Sequence, residues 1–328
     1  MISRLITIAL LASGLVGASA YGAAQAQVYG SNQTPNYNAQ QAQPAPANQG
    51  PADPGTVNYV EGSALLDGAA LDRNDVGRAY LQPGEVLSTH TGKAEVLLTP
   101  GVFLRLDDNS AVKMISPDLT KTQVEIEQGR AAIEVDQIFP QNDLEIVDGG
   151  VSTRLEKPGF YEFNASQPTA LVFQGRAEAG ESNGKWKEIK DHHEVSLVAN
   201  AELKSSSFDT RDARDGLYNW SSLRSHYLAE SNNQIAAEYA GVTGFNPGWY
   251  WDPYMWDYTF IGLGPYWSPF GFGFFPPWGW YGGYWGGGFY GGRFYGRGGV
   301  AFHGEYDGGF HGGFEGGGFH GGGGGGHR

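Results

Sequence analysis

Four histidines near the C-terminus, His303, His311, His320 and His327, are separated by glycine-rich segments, with Glu305, Asp307 and Glu315 among them. Imidazole ligates zinc, copper and nickel, and glycine spacers let a chain wrap an ion. Nothing in the spacing preorganises the set, so capture would be weak and unselective, and a solvated low-complexity segment is the plainer reading. His192 and His193 are adjacent ahead of an alternating run, and neighbouring strand residues point to opposite faces, so they do not converge on one site. Asp107 and Asp108 fall in a turn, where acidic side chains serve local backbone hydrogen bonds. Arg293 and Arg297 sit among glycines as in RNA-binding arginine–glycine segments. Acids outnumber bases around them, so nucleic acid is not an expected partner. There is no Gly-x-Ser-x-Gly elbow, no His-Glu-x-x-His, no phosphate-cradling Gly-Lys-Ser/Thr and no thiol. No catalytic, cofactor-binding or metal-binding residue is assigned, no cofactor is expected, and the chain is not read as an enzyme.

The 328 residues carry 21 Lys and Arg against 35 Asp and Glu, a formal net charge of −14, which disfavours phosphate backbones and anionic lipid surfaces. The absence of cysteine removes both a disulfide framework and thiolate metal sites. Glycine and proline crowd the two ends of the chain, which points to one folded domain with low-complexity flanks. Residues 1–26 read as a signal peptide: Arg4, an apolar stretch over 5–18, and Ala24-Gln25-Ala26 as the cleavage site, with Ala18-Ser19-Ala20 as a second option. The apolar stretch is short and glycine-interrupted for a membrane span of about 20 residues. The membrane is therefore expected to be met only through this transient signal. The expected location is outside the inner membrane: periplasm, cell surface or medium. Residues 27–54, rich in Gln, Asn and Pro, read as a flexible linker.

Within 81–106 two alternating apolar runs, Ala94, Val96, Leu98 and Val102, Leu104, Leu106, flank Thr99-Pro100-Gly101. Period-two alternation on either side of a Pro-Gly turn predicts a hairpin with one buried face. Short strands follow at 112–115, 122–126, 132–135, 144–147, 160–163, 170–173 and 194–198, separated by turn residues and by no helix. The fold class is all-β, an antiparallel sandwich or roll. Asp215-Gly216 then opens one amphipathic helix with Leu217, Trp220, Leu223, Tyr227 and Leu228 at three- and four-residue spacing, capped by Asp215 or Asp212. Docking of that stripe on its own β-domain is favoured over recruitment of a partner. From Phe245 the chain is densely aromatic and punctuated by Pro253, Pro265, Pro269, Pro276 and Pro277, which exclude a continuous helix through lipid. The expectation for 242–328 is a disordered or loosely collapsed tail rich in glycine and aromatic residues.

The segment Leu81-x-Pro83-Gly84-Glu85-Val86-Leu87-Ser88-Thr89, followed by Gly92, Ala94-x-Val96-x-Leu98 and Pro100-Gly101-x-x-Leu104-x-Leu106, resembles the core of a FecR domain. Val124-Glu125-Ile126-Glu127-Gln128-Gly129-Arg130-Ala131, then Val151-Ser152-Thr153 and Pro158-Gly159-Phe160-Tyr161-Glu162-Phe163, continue the likeness over roughly residues 57–200. The resemblance implies a β-domain, placed at 55–204; the linker and helix at 205–241 follow from the residue pattern given above. Regulatory members relay a signal across a membrane to a cytoplasmic sigma factor from an N-terminal segment. Here the apolar stretch begins at Leu5, so that role is not carried over. Gly84, Gly101, Gly129 and Gly159 stand as signature turn glycines whose role is backbone geometry. The leading expectation is a non-enzymatic exported binding or scaffolding protein of the envelope, its partner an unidentified protein or envelope polymer. The alternatives are a membrane-anchored signalling component and weak metal sequestration by the histidine-rich tail.

Overall fold

The Thr99-Pro100-Gly101 turn joins two strands as the alternation predicts, with Ala94 opposite Leu106 and Val96 opposite Leu104. The computed structural model describes residues 52–181 and 184–278; the signal-peptide and metal-capture expectations fall outside them. Fifteen strands share one sheet: β1 (Val57–Leu66), β2 (Ala69–Leu71), β3 (Val86–Leu97), β4 (Val102–Leu106), β5 (Ala111–Asp118), β6 (Lys121–Gln128), β7 (Arg130–Val135), β8 (Leu144–Asp148), β9 (Val151–Leu155), β10 (Gly159–Asn164), β11 (Thr169–Gln174), β12 (Arg176–Gly180), β13 (Lys187–Lys190), β14 (His193–Ser196) and β15 (Ser205–Ser207). The helix α1 (Gly216–Glu238) follows, then two hairpins, β16 (Gly248–Asp252) with β17 (Asp257–Ile261) and β18 (Tyr266–Trp267) with β19 (Gly273–Phe274).

The spatial order runs β13-β12-β9-β8-β6-β5-β3-β4-β7-β10-β11-β14-β15. The long strand β3 joins its two halves. Residues 86–88 pair with β5, residues 94–97 pair with β4, and β1 runs along β3 with register shifts near Gly62 and Gly92. The sheet thereby curls nearly into a barrel, and Val96, Leu104, Met114, Ile133, Ile146 and Phe163 are among the side chains packed inside it. One pairing departs from the antiparallel expectation: β6 and β8 are parallel. The chain leaves β6 for β7, on the far side of β3 and β4, and returns to β8, a crossover that short hairpin turns cannot make.

The four signature glycines sit where backbone geometry is constrained. Gly84, Gly101 and Gly129 have φ of 88°, 82° and 70°. Gly159 is constrained instead by contact: a Cβ there would lie 2.0 Å from the carbonyl oxygen of Gln174 in the adjacent strand, whereas one on Gly84 would meet open space. Gly159→Ala therefore has to displace backbone and is expected to cost about 2–3 kcal/mol. Gly84→Ala should cost only the about 1 kcal/mol of a left-handed alanine. Urea unfolding of the two variants checks both the sizes and their order.

The expected disordered tail is corrected over 242–278. Trp251, Tyr258, Phe260, Tyr266 and Phe274 are buried against Leu97 and Phe103 of the sheet and Leu228 of α1, forming a second core on the sheet's outer face. A third cluster joins Ala132, Phe160 and Phe173 to Leu217, with Phe270 packed against it. α1 docks on its own chain as favoured, capped by Asp215, whose Oδ1 accepts from the backbone N–H groups of Leu217 (2.9 Å) and Tyr218 (3.2 Å). Its buried face includes Leu217 and Leu228 of the anticipated apolar stripe but is largely polar. Leu223 is exposed, while Ser221, Arg224, Ser225, Ser231 and Asn232 are buried.

Candidate functional site

On β3 and β4 the residues between the inward apolar positions point outward, and in a two-layer sheet they would be wet. Here α1 and β17 cover them. Glu95 and Arg105 are fully buried, as is Glu134 on β7. Arg105 Nε donates to Glu95 Oε2 at 2.8 Å, and its Nη1 donates to Glu134 Oε2. From above, Arg224 of α1 donates through Nη2 to both Glu95 Oε1 and Asp257 Oδ2, each at 3.0 Å, while lying 4.2 Å over the ring of Tyr59. Ser225 Oγ donates to Glu134 Oε1 at 2.7 Å and Ser231 Oγ to Asp257 Oδ1 at 3.0 Å. Asn58 of β1 donates to Glu95 and accepts from the backbone N–H of Tyr258 at 2.7 Å. These bonds tie the sheet, the helix and the aromatic hairpin into one polar seam with apolar clusters on both sides. Two buried guanidiniums face the carboxylates of Glu95, Glu134, Asp136 and Asp257, so acid exceeds base in a water-poor layer.

The electrostatics divide accordingly. Burial would raise Glu95, but Arg224 and Arg105 outweigh it and hold the carboxyl at about 2. Burial dominates at Asp257, raising it to about 6 against the pull of Arg224. Nearer the start of α1, burial, helped by Asp215, raises Glu162 to about 8 although Arg130 donates to it at 2.8 Å. A carboxyl raised on folding binds its proton more tightly in the folded state. Its contribution is whole below the unfolded value, near 4 to 4.5, and is lost as pH rises through the folded value. For Asp257 that loss runs to about pH 6 and for Glu162 to about pH 8. Glu95 acts oppositely, its contribution being lost only as pH falls toward 2. The melting temperature should therefore be highest near about pH 5 and fall steadily toward about pH 8, as calorimetry across that range would show.

An open cleft of about 300 Å³ lies where the β7–β8 loop meets β9. Ile138, Pro140, Leu144 and Leu155 give it an apolar lining, and Phe139 forms a lip with 39% of its surface exposed. Asn142, also in the lining, holds the lip by accepting from the backbone N–H of Phe139 at 3.0 Å and donating to the Leu119 carbonyl at 2.5 Å. That second bond brings the exposed Leu119 of the β5–β6 turn to the cleft's margin. Arg154, Asp143 and Glu156 supply the charge. Arg154 Nε is 3.7 Å from Asp143 and 3.5 Å from Glu145, and its guanidinium lies 3.9 Å from the ring centre of Trp186. A mixed surface, with apolar side chains beside an arginine set over an aromatic ring and flanked by two acids, suits noncovalent binding of an extended segment or a polymer.

The residues singled out for chemistry fall elsewhere. His192 is exposed at the β13–β14 turn with φ of 60°, and His193 Nδ1 lies 2.9 Å from the Asp191 carbonyl oxygen; they form no joint site. Asp108 does serve a backbone group, but across the fold: its Oδ1 accepts from Gly92 N–H at 2.7 Å. Asp107 pairs with Lys93 at 2.5 Å. Among the described residues, no three His, Asp or Glu side chains are grouped to hold a metal ion. The seam residues were passed over in the sequence. Their signal was the spacing Glu134-x-Asp136 and the polar Glu95 and Arg105 inside otherwise apolar runs, which places charges on one strand face.

No protein-family model and no curated protein matches the chain. Two crystal structures of a candidate anti-sigma factor from Parabacteroides distasonis resemble it in part. One has a TM-score of 0.34 at 15% identity, over 39% of this chain and 62% of that one. The other has a TM-score of 0.33 at 14% identity, over 38% and 60%. The likeness thus spans about three fifths of those chains.

Proposed function

We propose that this chain is an exported, non-enzymatic binding module of the cell envelope, built on a FecR-type β-domain, and that the cleft beside Arg154 is its binding surface. The observation that carries the reading is how the charged side chains are used. Glu95, Arg105, Glu134, Arg224 and Asp257 are sealed in the seam and bonded to one another, whereas the accessible cleft offers apolar side chains together with Arg154, Asp143 and Glu156. Sealed charges hold the scaffold rigid; the cleft is where surface remains to be covered.

The test uses the full chain in its own cells, with a photo-crosslinking side chain placed at Phe139 or, as a control of similar exposure, at Leu223. A discrete adduct from Phe139, absent from Leu223 and lost when Arg154→Glu is added, is expected. Equal labelling at both positions, or none at Phe139, would remove the cleft as the binding surface. Phe139→Glu should leave stability within about 0.5 kcal/mol, as substitutions at exposed positions do. Export is tested by intact-mass analysis of fractionated cells. Cleavage after Ala26 in the soluble exported fraction is expected, and a full-length chain in the inner-membrane fraction would favour the anchored signalling reading instead.

A further inference from the structure

Asp136 is the odd member of the seam. It lies two residues beyond Glu134 on the same face, is 3% exposed, and neither carboxylate oxygen has a hydrogen-bond donor. The charge that acts on it most strongly is another carboxylate, Glu134, whose own oxygens accept from Arg105 and Ser225. The groups facing the pair are Glu95 from β3, Arg105 from β4, Arg224 and Ser225 from α1, Asp257 from β17 and Tyr266 from β18, with Glu162 and Arg130 farther along the same sheet face. Both guanidiniums are bonded to Glu95, Glu134 and Asp257, and although Arg105 Nη2 and Arg224 Nε have no hydrogen-bond partner, neither bonds to Asp136. An ionised Asp136 would be a second negative charge beside Glu134, offset only in part by Arg105 and with no donor on either oxygen, a costly state in a buried layer. A protonated Asp136 becomes a donor and can bond to Glu134, which removes the repulsion and gives one of its two oxygens a partner.

We propose that a proton held on Asp136 and donated toward Glu134 is a structural part of the seam, and that its loss releases α1 and the aromatic hairpins from the sheet, making the seam a pH-operated latch. Consistent with this, burial and then Glu134 push the Asp136 carboxyl well above its ordinary range. The layer that would be released includes Tyr266, whose hydroxyl donates to the Phe260 carbonyl at 2.8 Å, and Trp251, so opening exposes a large aromatic surface. Low pH keeps that surface covered and alkaline pH uncovers it, while the inner core of the curled sheet stays closed.

Hydrogen exchange on the full chain tests the latch, read as protection of α1 amides relative to β4 amides in the same sample so that intrinsic exchange rates cancel. The measurement is made in a Glu162→Gln background, which removes the carboxyl on this face raised to about 8, while Asp257, raised to about 6, titrates at the start of the range and is common to the parent and the Asp136 variant. Relative protection of α1 should fall by about tenfold or more between about pH 6 and about pH 9. Asp136→Asn, whose amide can donate to Glu134 at any pH, should abolish that fall. A flat profile in the parent chain, or an equally steep one in Asp136→Asn, would overturn the proposal. If Asp136→Asn does not fold, infrared spectroscopy of the parent decides. A protonated-carboxyl band persisting at about pH 7 and vanishing over the ramp that exposes α1 supports the latch, and its absence at about pH 7 refutes it.

Discussion

A chain ending at Gly244 should lose the docked helix and behave as a partly folded, aggregation-prone protein, whereas one ending at Trp278 should melt cooperatively like the full chain. The first truncation removes Trp251, Tyr258, Phe260, Tyr266 and Phe274, all at most 7% exposed. Deleting one buried large aromatic side chain typically costs about 3–5 kcal/mol, and five such losses exceed the about 5–15 kcal/mol by which a domain is stable. The inner core is untouched, so the sheet can persist. Its outer face, however, would present Leu97 and Phe103 to water, and Arg224 would lose Asp257. Far-UV circular dichroism should show a loss of helix corresponding to α1, and a hydrophobic dye should bind strongly to the Gly244 chain but not to the Trp278 chain. A Gly244 chain with native helix content and an unchanged melting temperature would mean that the aromatic hairpins contribute nothing to the fold.

The boundary between these truncations is also where the sequence was hardest to read. The hairpin at 94–106, the turn at Gly129 and the cap at Asp215 were legible because each is local: an alternation, a glycine at positive φ, an acid two and three residues ahead of free N–H groups. The aromatic stretch read as tail because proline and glycine interrupt every run before a period can establish itself. One signal was nevertheless present. Trp249 and Trp251 alternate on one side of a turn containing Pro253, with Tyr258 and Phe260 on the other; in the structure Trp249 pairs with Phe260 and Trp251 with Tyr258.

The misread helix face and the missed seam share a cause. Alternation in β3 and β4 identifies the inner face correctly, and the usual inference that the other face is wet fails because a third layer covers it. A helix that packs on charges must itself bury polar residues, so α1 carries Ser221, Arg224, Ser225, Ser231 and Asn232 beside Leu217 and Leu228 of the apolar stripe. Glu95 is 129 residues from Arg224, a pairing that no local pattern encodes. Hence the chain announces its inner core and conceals its outer one, although the outer layer carries the titrating groups.

Arg224→Ala should be among the most damaging single substitutions, at about 3–5 kcal/mol, the usual result of removing one partner from a buried ion pair. The loss is larger than that of the contact itself, because Glu95 and Asp257 remain buried while their shared donor is gone. Two further observations should separate this cause from lost packing against Tyr59. Arg224→Met, which keeps much of the apolar stem, should recover little, whereas Arg224→Met combined with Glu95→Gln and Asp257→Asn should recover most of the deficit, since no unpaired charge then remains on those three side chains. The deficit of Arg224→Ala should also shrink as pH falls below about 5. With the Arg224 guanidinium absent, only Arg105 opposes the burial of Glu95, so its carboxyl rises and takes up a proton more readily in the folded state, as Asp257 already tends to do. Urea unfolding of the variants at about pH 4.5 and about pH 7.5 measures both effects. A deficit independent of pH, undiminished by the triple substitution, would assign Arg224 a packing role, and the seam would then hold its layers by shape alone.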